Sequence, residues 1–418
     1  MTATRTRRGS AGRAVTLAVT VTAAALLATG CGTPDGEDAR PGTSRGGADA
    51  ASPSGGGSES PAASGAPALS WSYDRVLDGD ASLADMAVVA EDDIWAYGTG
   101  RGPTGGTNDQ YLLHYDGTRW RERPLPGVLG SEPGTVRLDA VGSGQVWLTA
   151  TGAAQDQPRV ARWDGHRWSA LPRPPAGRVA DVEAFAPDDV RMLAGEDQVL
   201  RWDGRRWTAT RLPASVESLD GTAPDDLWAV GFRRTGSETG ELTQPATVHF
   251  DGHSWRLVET PAYHFAEPVP PEPDATLDHV FALAPDDVRV YGTHTFNHGE
   301  GEDEPDDERI RLRWDGTAWR DQPSLPGECG GRIPVARDGD AGLVLDGNWY
   351  VTTDGACAKI KRSRLPERGG VTKESHQSLW LEEVAPVPGT DEIIGVGHVQ
   401  VNQSGNPMAK AVIVSLKR

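Results

Sequence analysis

One six-residue string recurs along this chain and limits its folds more than any other feature. It reads aromatic-Asp-Gly-x-x-Trp: Tyr115 to Trp120, Trp163 to Trp168, Trp202 to Trp207, Phe250 to Trp255 and Trp314 to Trp319. Asp354-Gly355 continues the series with Ala358 in place of the Trp. Asp-Gly between strand-forming runs is a hairpin turn, because Gly accepts positive φ and Asp bonds nearby backbone N–H groups. A second string precedes the first, as in Asp92-Asp93-Ile94-Trp95, Asp188-Asp189-Val190-Arg191, Asp225-Asp226-Leu227-Trp228 and Asp286-Asp287-Val288-Arg289. Gln145-Val146-Trp147 is a weaker copy. Ala-Pro-Asp-Asp is itself a tight turn.

The Asp-Gly steps fall at 116, 164, 203, 251, 315 and 354, so the gaps are 48, 39, 48, 64 and 39. Periods near 40–50 with four strands per unit are the signature of an all-β propeller of antiparallel blades. Asp391-Glu392-Ile393-Ile394 is a seventh turn-and-strand copy, and Ala409 to Leu416 is a third strand that stops where Asp-Gly should follow. The missing fourth strand lies at the other end of the repeats, where Leu69-Ser70-Trp71-Ser72 matches Arg167-Trp168-Ser169. The expectation is a seven-bladed β-propeller over 68–418, its ring closed by the N-terminal strand so that no sheet edge stays open. Six or eight blades are the alternatives, because the sixth copy is divergent.

Ala223 to Gly231, Ala-Pro-Asp-Asp-Leu-Trp-Ala-Val-Gly, together with the Asp-Gly-x-x-Trp strings, resembles bacterial secreted and lipoprotein β-propellers. These are similar to the wider kelch and galactose-oxidase-like propellers. The resemblance covers blades one to five well and the last two weakly. It implies the fold, and members of the group mostly lack an assigned activity.

The N-terminus reads as an export signal. Arg5, Arg7, Arg8 and Arg13 make a basic region, and an apolar run from Ala14 to Ala28 follows. That run is too short for a bilayer core, which needs roughly twenty residues. Leu27-Ala28-Thr29-Gly30-Cys31 resembles a bacterial lipobox, with Leu one position further from the Cys than usual, and implies lipidation at Cys31. Residues 31–67 are Gly, Ser, Pro and Ala-rich without large apolar side chains, so they are expected to form a disordered tether. Its reach is on the order of 30–35 Å. The protein is therefore expected at the extracytoplasmic face of the cell membrane, held through its lipid alone.

Chemistry is sparse. The formal charge of −19 becomes −23 once residues 1–30 are removed, which argues against a nucleic-acid partner. No P-loop, His-Glu-x-x-His or paired Cys-x-x-Cys occurs. Gly100, Gly102 and Gly105 have dinucleotide-fingerprint spacing but open no helix, and Gly42 to Gly46 copies a nucleophile elbow inside the tether. No cofactor, metal or catalytic residue is implied. The two other cysteines, Cys329 and Cys357, would favour a disulfide in an exported domain. The strand map nevertheless puts them toward opposite faces of a regular blade, which leaves the pairing open.

Extra length marks the candidate binding face. The 64-residue gap holds two insertions, 262–275 and 294–308, and further long second-to-third-strand loops are expected at 100–110 and 235–244. The blade-five insertions carry Tyr263, His264, Phe265, His294, Phe296 and His298 beside Glu300, Glu302, Asp303, Glu304, Asp306, Asp307 and Glu308. Three readings compete: a solvated acidic loop, a face with aromatic anchors for a protein or glycan, and a weaker metal site using His294 and His298.

The fourteen tryptophans outnumber Tyr and Phe combined. Six are expected to open fourth strands, three to end third strands and three to sit in second strands, a repeated blade-packing code that leaves out Trp349 and Trp380. The expected role is a monomeric binding or scaffolding module, with a glycan-active hydrolase or lyase as the alternative. Replacing Cys31 with Ser should move the protein from the membrane fraction to the soluble fraction and abolish labelling by radioactive palmitate.

Overall fold

The computed structural model describes residues 68–100, 109–130, 133–142, 144–152, 157–237, 240–299, 304–339, 341–402 and 407–417. Residues 1–67, with the expected export signal, Cys31 and the expected tether, lie outside them, as do Glu300, Glu302 and Asp303.

The chain forms a seven-bladed β-propeller. Six consecutive sheets each run first to fourth strand in sequence order: blade one from Ala81 to Arg123, two from Thr135 to Ala170, three from Val179 to Arg211, four from Ser215 to Val258, five from Asp274 to Asp321 and six from Pro334 to Lys359. The seventh combines His376–Pro386, Glu392–Asn402 and Met408–Lys417 with the N-terminal strand Ser70–Val76. That strand pairs antiparallel with the C-terminal one, Ser72 opposite Ser415, and so closes the ring. A two-residue strand, Lys361–Arg362, pairs parallel to its outer edge. The closure is held further by Trp71, whose Nε1 donates to the Gly347 carbonyl at 2.7 Å. No α-helix occurs among the described residues.

Five of the six Asp-Gly turns are built the same way, and at the sixth Asp354 instead accepts from the Thr352 hydroxyl. Asp164 Oδ1 accepts from the N–H groups of His166 and Arg167 at 3.0 and 2.9 Å, and Gly165 takes φ +94°. Asp116, Asp203, Asp251 and Asp315 repeat the pattern. These donors hold all five carboxyls below the usual range, Asp116 and Asp315 mainly through the Thr118 and Thr317 hydroxyls, the others mainly through backbone N–H groups.

The turn sets two aromatic rings side by side, and the preceding blade fills the space against them. Trp95 of blade one meets Trp163 and Trp168 of blade two at 5.2 and 5.4 Å between centroids. Trp147 of blade two meets Trp202 and Trp207 of blade three, and Trp228 of blade four meets Trp314 and Trp319 of blade five. Several contacts are edge-on, the arrangement that aromatic quadrupoles favour. Blades three and five carry Arg191 and Arg289 in the equivalent place, paired with Asp189 and Asp287. Seven hydrophobic clusters result, one in each gap between neighbouring blades.

Blade six shows why the regular strand map misplaced the cysteines. Its second, third and fourth strands span only Gly342–Leu345, Trp349–Thr352 and Cys357–Lys359. The linker Leu325 to Gly330 turns back as a single 3-10 turn, Gly327–Cys329, and buries Cys329 against the outer strands. Cys329 bonds Cys357 there, with Cα atoms 6.0 Å apart. Blade two has the same linker, Leu125 to Gly130, and Leu129 fills the corresponding site. A second departure is at 235–244, expected as a loop: the ladder of blade four continues through Thr235 opposite Leu242 to Ser237 opposite Gly240.

Trp147 is fully buried. Trp147→Ala should cost about 3–5 kcal/mol, read from chemical denaturation, because it removes a large core side chain and leaves a cavity. A loss under about 1 kcal/mol would mean that the plug does not hold blades two and three together.

Candidate functional site

The blade-five insertions gather five of their six candidate residues into one stack of rings. Phe265 lies flat on His294 at 3.9 Å, Tyr263 meets the same imidazole edge-on at 5.8 Å, and Phe296 bridges Phe265 and His298 at 5.3 and 4.0 Å. His264 is exposed. His294 is buried and its Nδ1 lies 2.8 Å from Glu308. Gln244 clasps the Tyr263 backbone in both directions at 2.9 Å, while the Tyr263 hydroxyl donates to Asp321 at 2.7 Å. Asp307 and Glu304 hold the His298 imidazole at 3.0 and 3.3 Å and raise its pKa, the Asp307 hydrogen bond contributing most. His294 and Phe296 are buried within this stack, Tyr263 and Phe265 are partly buried, and His298 stays about half exposed. Among the described residues, no three His, Cys, Asp or Glu side chains are grouped to hold a metal ion.

Polar groups converge instead at the axis. The first strand of each blade is the inner edge of its sheet, so its outward N–H and C=O groups have no strand to pair with. Buried carboxylates stitch these edges together. Asp85 accepts from Met86 N–H and, in the next blade, from Leu138 N–H at 3.1 Å. Asp181 reaches Leu219 and Asp220 reaches Ala282 in the same way, both at 2.8 Å. Arg137 donates to the Ala180 carbonyl to join blades two and three.

A bulge interrupts six of these first strands at the same place, between Leu83 and Asp85, Val179 and Asp181, Val216 and Ser218, Leu277 and His279, Pro334 and Ala336, and Leu381 and Glu383. A bulge re-aims the extra residue away from the regular pleat. The extra residues are Ala84, Ala180, Glu217, Asp278, Val335 and Glu382. Five of them fall in the half of the strand nearer its start, the end at which the blade-five insertions lie, and Glu382 sits just past the middle of His376–Pro386.

Three of the six are acids, and each has a charged or titratable neighbour. Arg178 lies 3.6 Å from Glu217 with both side chains about half exposed, at 45% and 40%. Burial and the Glu217 charge push the Asp278 carboxyl up to about 6, against the pull of Arg309. His398 Nδ1 lies 3.6 Å from Glu382 and 3.2 Å from Ser82 Oγ, and burial pushes its pKa down. Ser82, His398 and Glu382 do not make a nucleophilic relay. Such a relay needs hydroxyl and carboxylate on opposite ring nitrogens, and here both meet Nδ1. Directly across the ladder from His398 is Trp380, 58% exposed, on the innermost strand of blade seven.

None of these residues was singled out from the sequence as a site. A signal existed for two of the acids: Glu217 and Asp278 each lie eight residues before the first Asp of an Asp-Asp turn, as do Ala84 and Ala180. Trp380 was marked only as one of two tryptophans outside the packing code.

No protein-family model matches the chain, and no curated protein does. Among solved structures the chain is similar to YCF48 bound to D1 peptide, at 14% identity over 84% of this chain and 98% of that one, with a TM-score of 0.46. It is also similar to the β-propeller domain of the Trilobed protease from Pyrococcus furiosus, at 8% identity, 79% and 97% coverage and a TM-score of 0.44. The GH74 xyloglucanase from Xanthomonas campestris gives 14% identity, 79% and 59% coverage and a TM-score of 0.40. The likeness is one of fold.

Folding raises the pKa of Asp278, so its protonated form contributes stability below the ordinary 3.8 that is lost as pH rises through about 6. A carbon-13 titration should place its midpoint near 6, and Glu217→Gln should lower it. The same midpoint in both proteins would show that the two carboxyls do not sense each other.

Proposed function

We propose that the mature protein is a lipoprotein anchored through Cys31 at the extracytoplasmic face of the membrane, whose propeller is a monomeric binding module for a surface protein or glycan. The tether 31–67 lifts it clear of the bilayer, and the anionic body is repelled by anionic lipid. The repeat strings support placing it among bacterial lipoprotein propellers of the kelch-like kind. Its partner docks at the axial mouth rather than on the ring stack of blade five. The observation that carries this placement is Trp380, an exposed indole at the inner edge of blade seven, beside Glu382 and His398.

A second reading is glycan hydrolysis. Burial, and after it the charge of Glu217, raises the Asp278 carboxyl to about 6, and an acid of raised pKa that senses a second carboxyl is the kind of pair glycoside cleavage uses.

The binding reading is tested by capture from intact cells with the full mature chain, Glu382→Lys, and a variant shortened within 293–309. Loss of capture with Glu382→Lys but not with the shortened loop is the expected result. The opposite pattern would move the docking face to blade five. Release of reducing sugar from a polysaccharide panel, abolished by Asp278→Asn, would favour the enzyme.

A further inference from the structure

Trp380 is the most exposed large apolar side chain among the described residues. The other tryptophans are spent differently: most pack in the gaps between blades, and Trp349 lies under the guanidinium of Arg332 at 4.5 Å. An indole left open at an inner edge offers a flat apolar face of the kind that rings stack on. Its surroundings decide which ring. The strand that carries it brings Glu382 two residues further on, and the neighbouring strand brings His398, which Ser82 of blade one holds by a hydrogen bond. Around the rest of the opening the polar groups alternate in kind, Arg178 against Glu217 and Arg309 against Asp278.

A basic peptide would gain from the carboxylates and be repelled by the two guanidinium groups. A nucleic-acid base would stack on the indole, but its phosphates would meet three acids and an overall charge of −19. A sugar ring suits the mixture. Each hydroxyl is both donor and acceptor, so it can give to a carboxylate and take from a guanidinium or a serine. Its axial C–H face is apolar and flat enough to lie on an indole.

We infer that the axial mouth is a carbohydrate-binding site in which a sugar ring stacks on Trp380 and gives hydroxyl hydrogen bonds to Glu382. This rests on the mouth being the docking face and adds the class of ligand. Neighbouring sugar units of a chain would run from this position across the opening, toward the Arg178–Glu217 pair.

The test is calorimetric titration of the full mature chain at neutral pH with cellohexaose, chitohexaose, xylohexaose and mannohexaose, and with hexalysine as the cationic comparison. At least one oligosaccharide should bind, hexalysine should not, and Trp380→Ala should weaken binding about tenfold or more. Trp380→Phe, which keeps a stacking face, should recover most of the loss. Because the side chain is exposed, both variants should melt like the parent. Oligosaccharide binding unchanged by Trp380→Ala overturns the inference. Hexalysine binding that Trp380→Ala removes also overturns it, yet leaves the mouth as the docking face. Failure of every oligosaccharide overturns the ligand class alone, since capture with Glu382→Lys judges the mouth separately.

Discussion

The fold depends on apolar packing in the gaps between neighbouring blades, which in three of the seven gaps is the seating of an indole from one blade against the paired rings of the next. The paired rings exist because Asp-Gly makes a turn tight enough to set the residues before and after it face to face, 5.5 Å apart for Trp163 and Trp168. The indole exists because the second strand of the preceding blade carries Trp95 at the matching height. Neither half buries much surface within its own sheet, since a four-stranded blade has two apolar faces and no core. Joining them buries both at once. With an apolar cluster in every gap, the propeller is stable as a ring of inter-blade contacts and not blade by blade.

A ring has two further demands, a closed circumference and satisfied inner edges. The first is met by Ser70–Val76, which enters blade seven from the opposite end of the chain and is pinned by Trp71 against Gly347. The second is met by Asp85, Asp181 and Asp220, each of which spends a buried carboxylate on backbone N–H groups of its own strand and the next. With the inner edges stitched in this way, the bulged residues just beside them are released from structural duty. Glu217, Asp278 and Glu382 are thus free to vary in chemistry without loosening the ring, which is how a scaffold of repeats acquires one special place.

The candidate site was less legible than the fold for a physical reason. Asp-Gly, Ala-Pro-Asp-Asp and the Trp positions act through local turns and a fixed blade period, so they are visible in one dimension. Even the closure was visible, because Leu69 to Ser72 looks like a fourth strand without a blade. The blade-five rings drew notice as a cluster of unlike residues in long insertions. Only the structure reveals that Phe265 and Phe296 face His294, His298 and each other. The axial acids escaped notice because Glu217 and Asp278 look like any exposed strand residue until a bulge turns them.

By its own pattern the sequence determined the fold class, the strand that closes the ring and the packing role of twelve tryptophans, and it pointed to seven blades while leaving six or eight open. Those follow from turn chemistry and periodicity, which need no knowledge of what lies across the molecule. Tertiary structure alone decided that Cys329 meets Cys357, that 235–244 is ladder and not loop, and that Trp380 is left open beside Glu382. Each of these depends on which residues a linker, a ladder or a bulge brings together from distant positions. Convergence on an axis is a property of the closed ring, and no single repeat carries it.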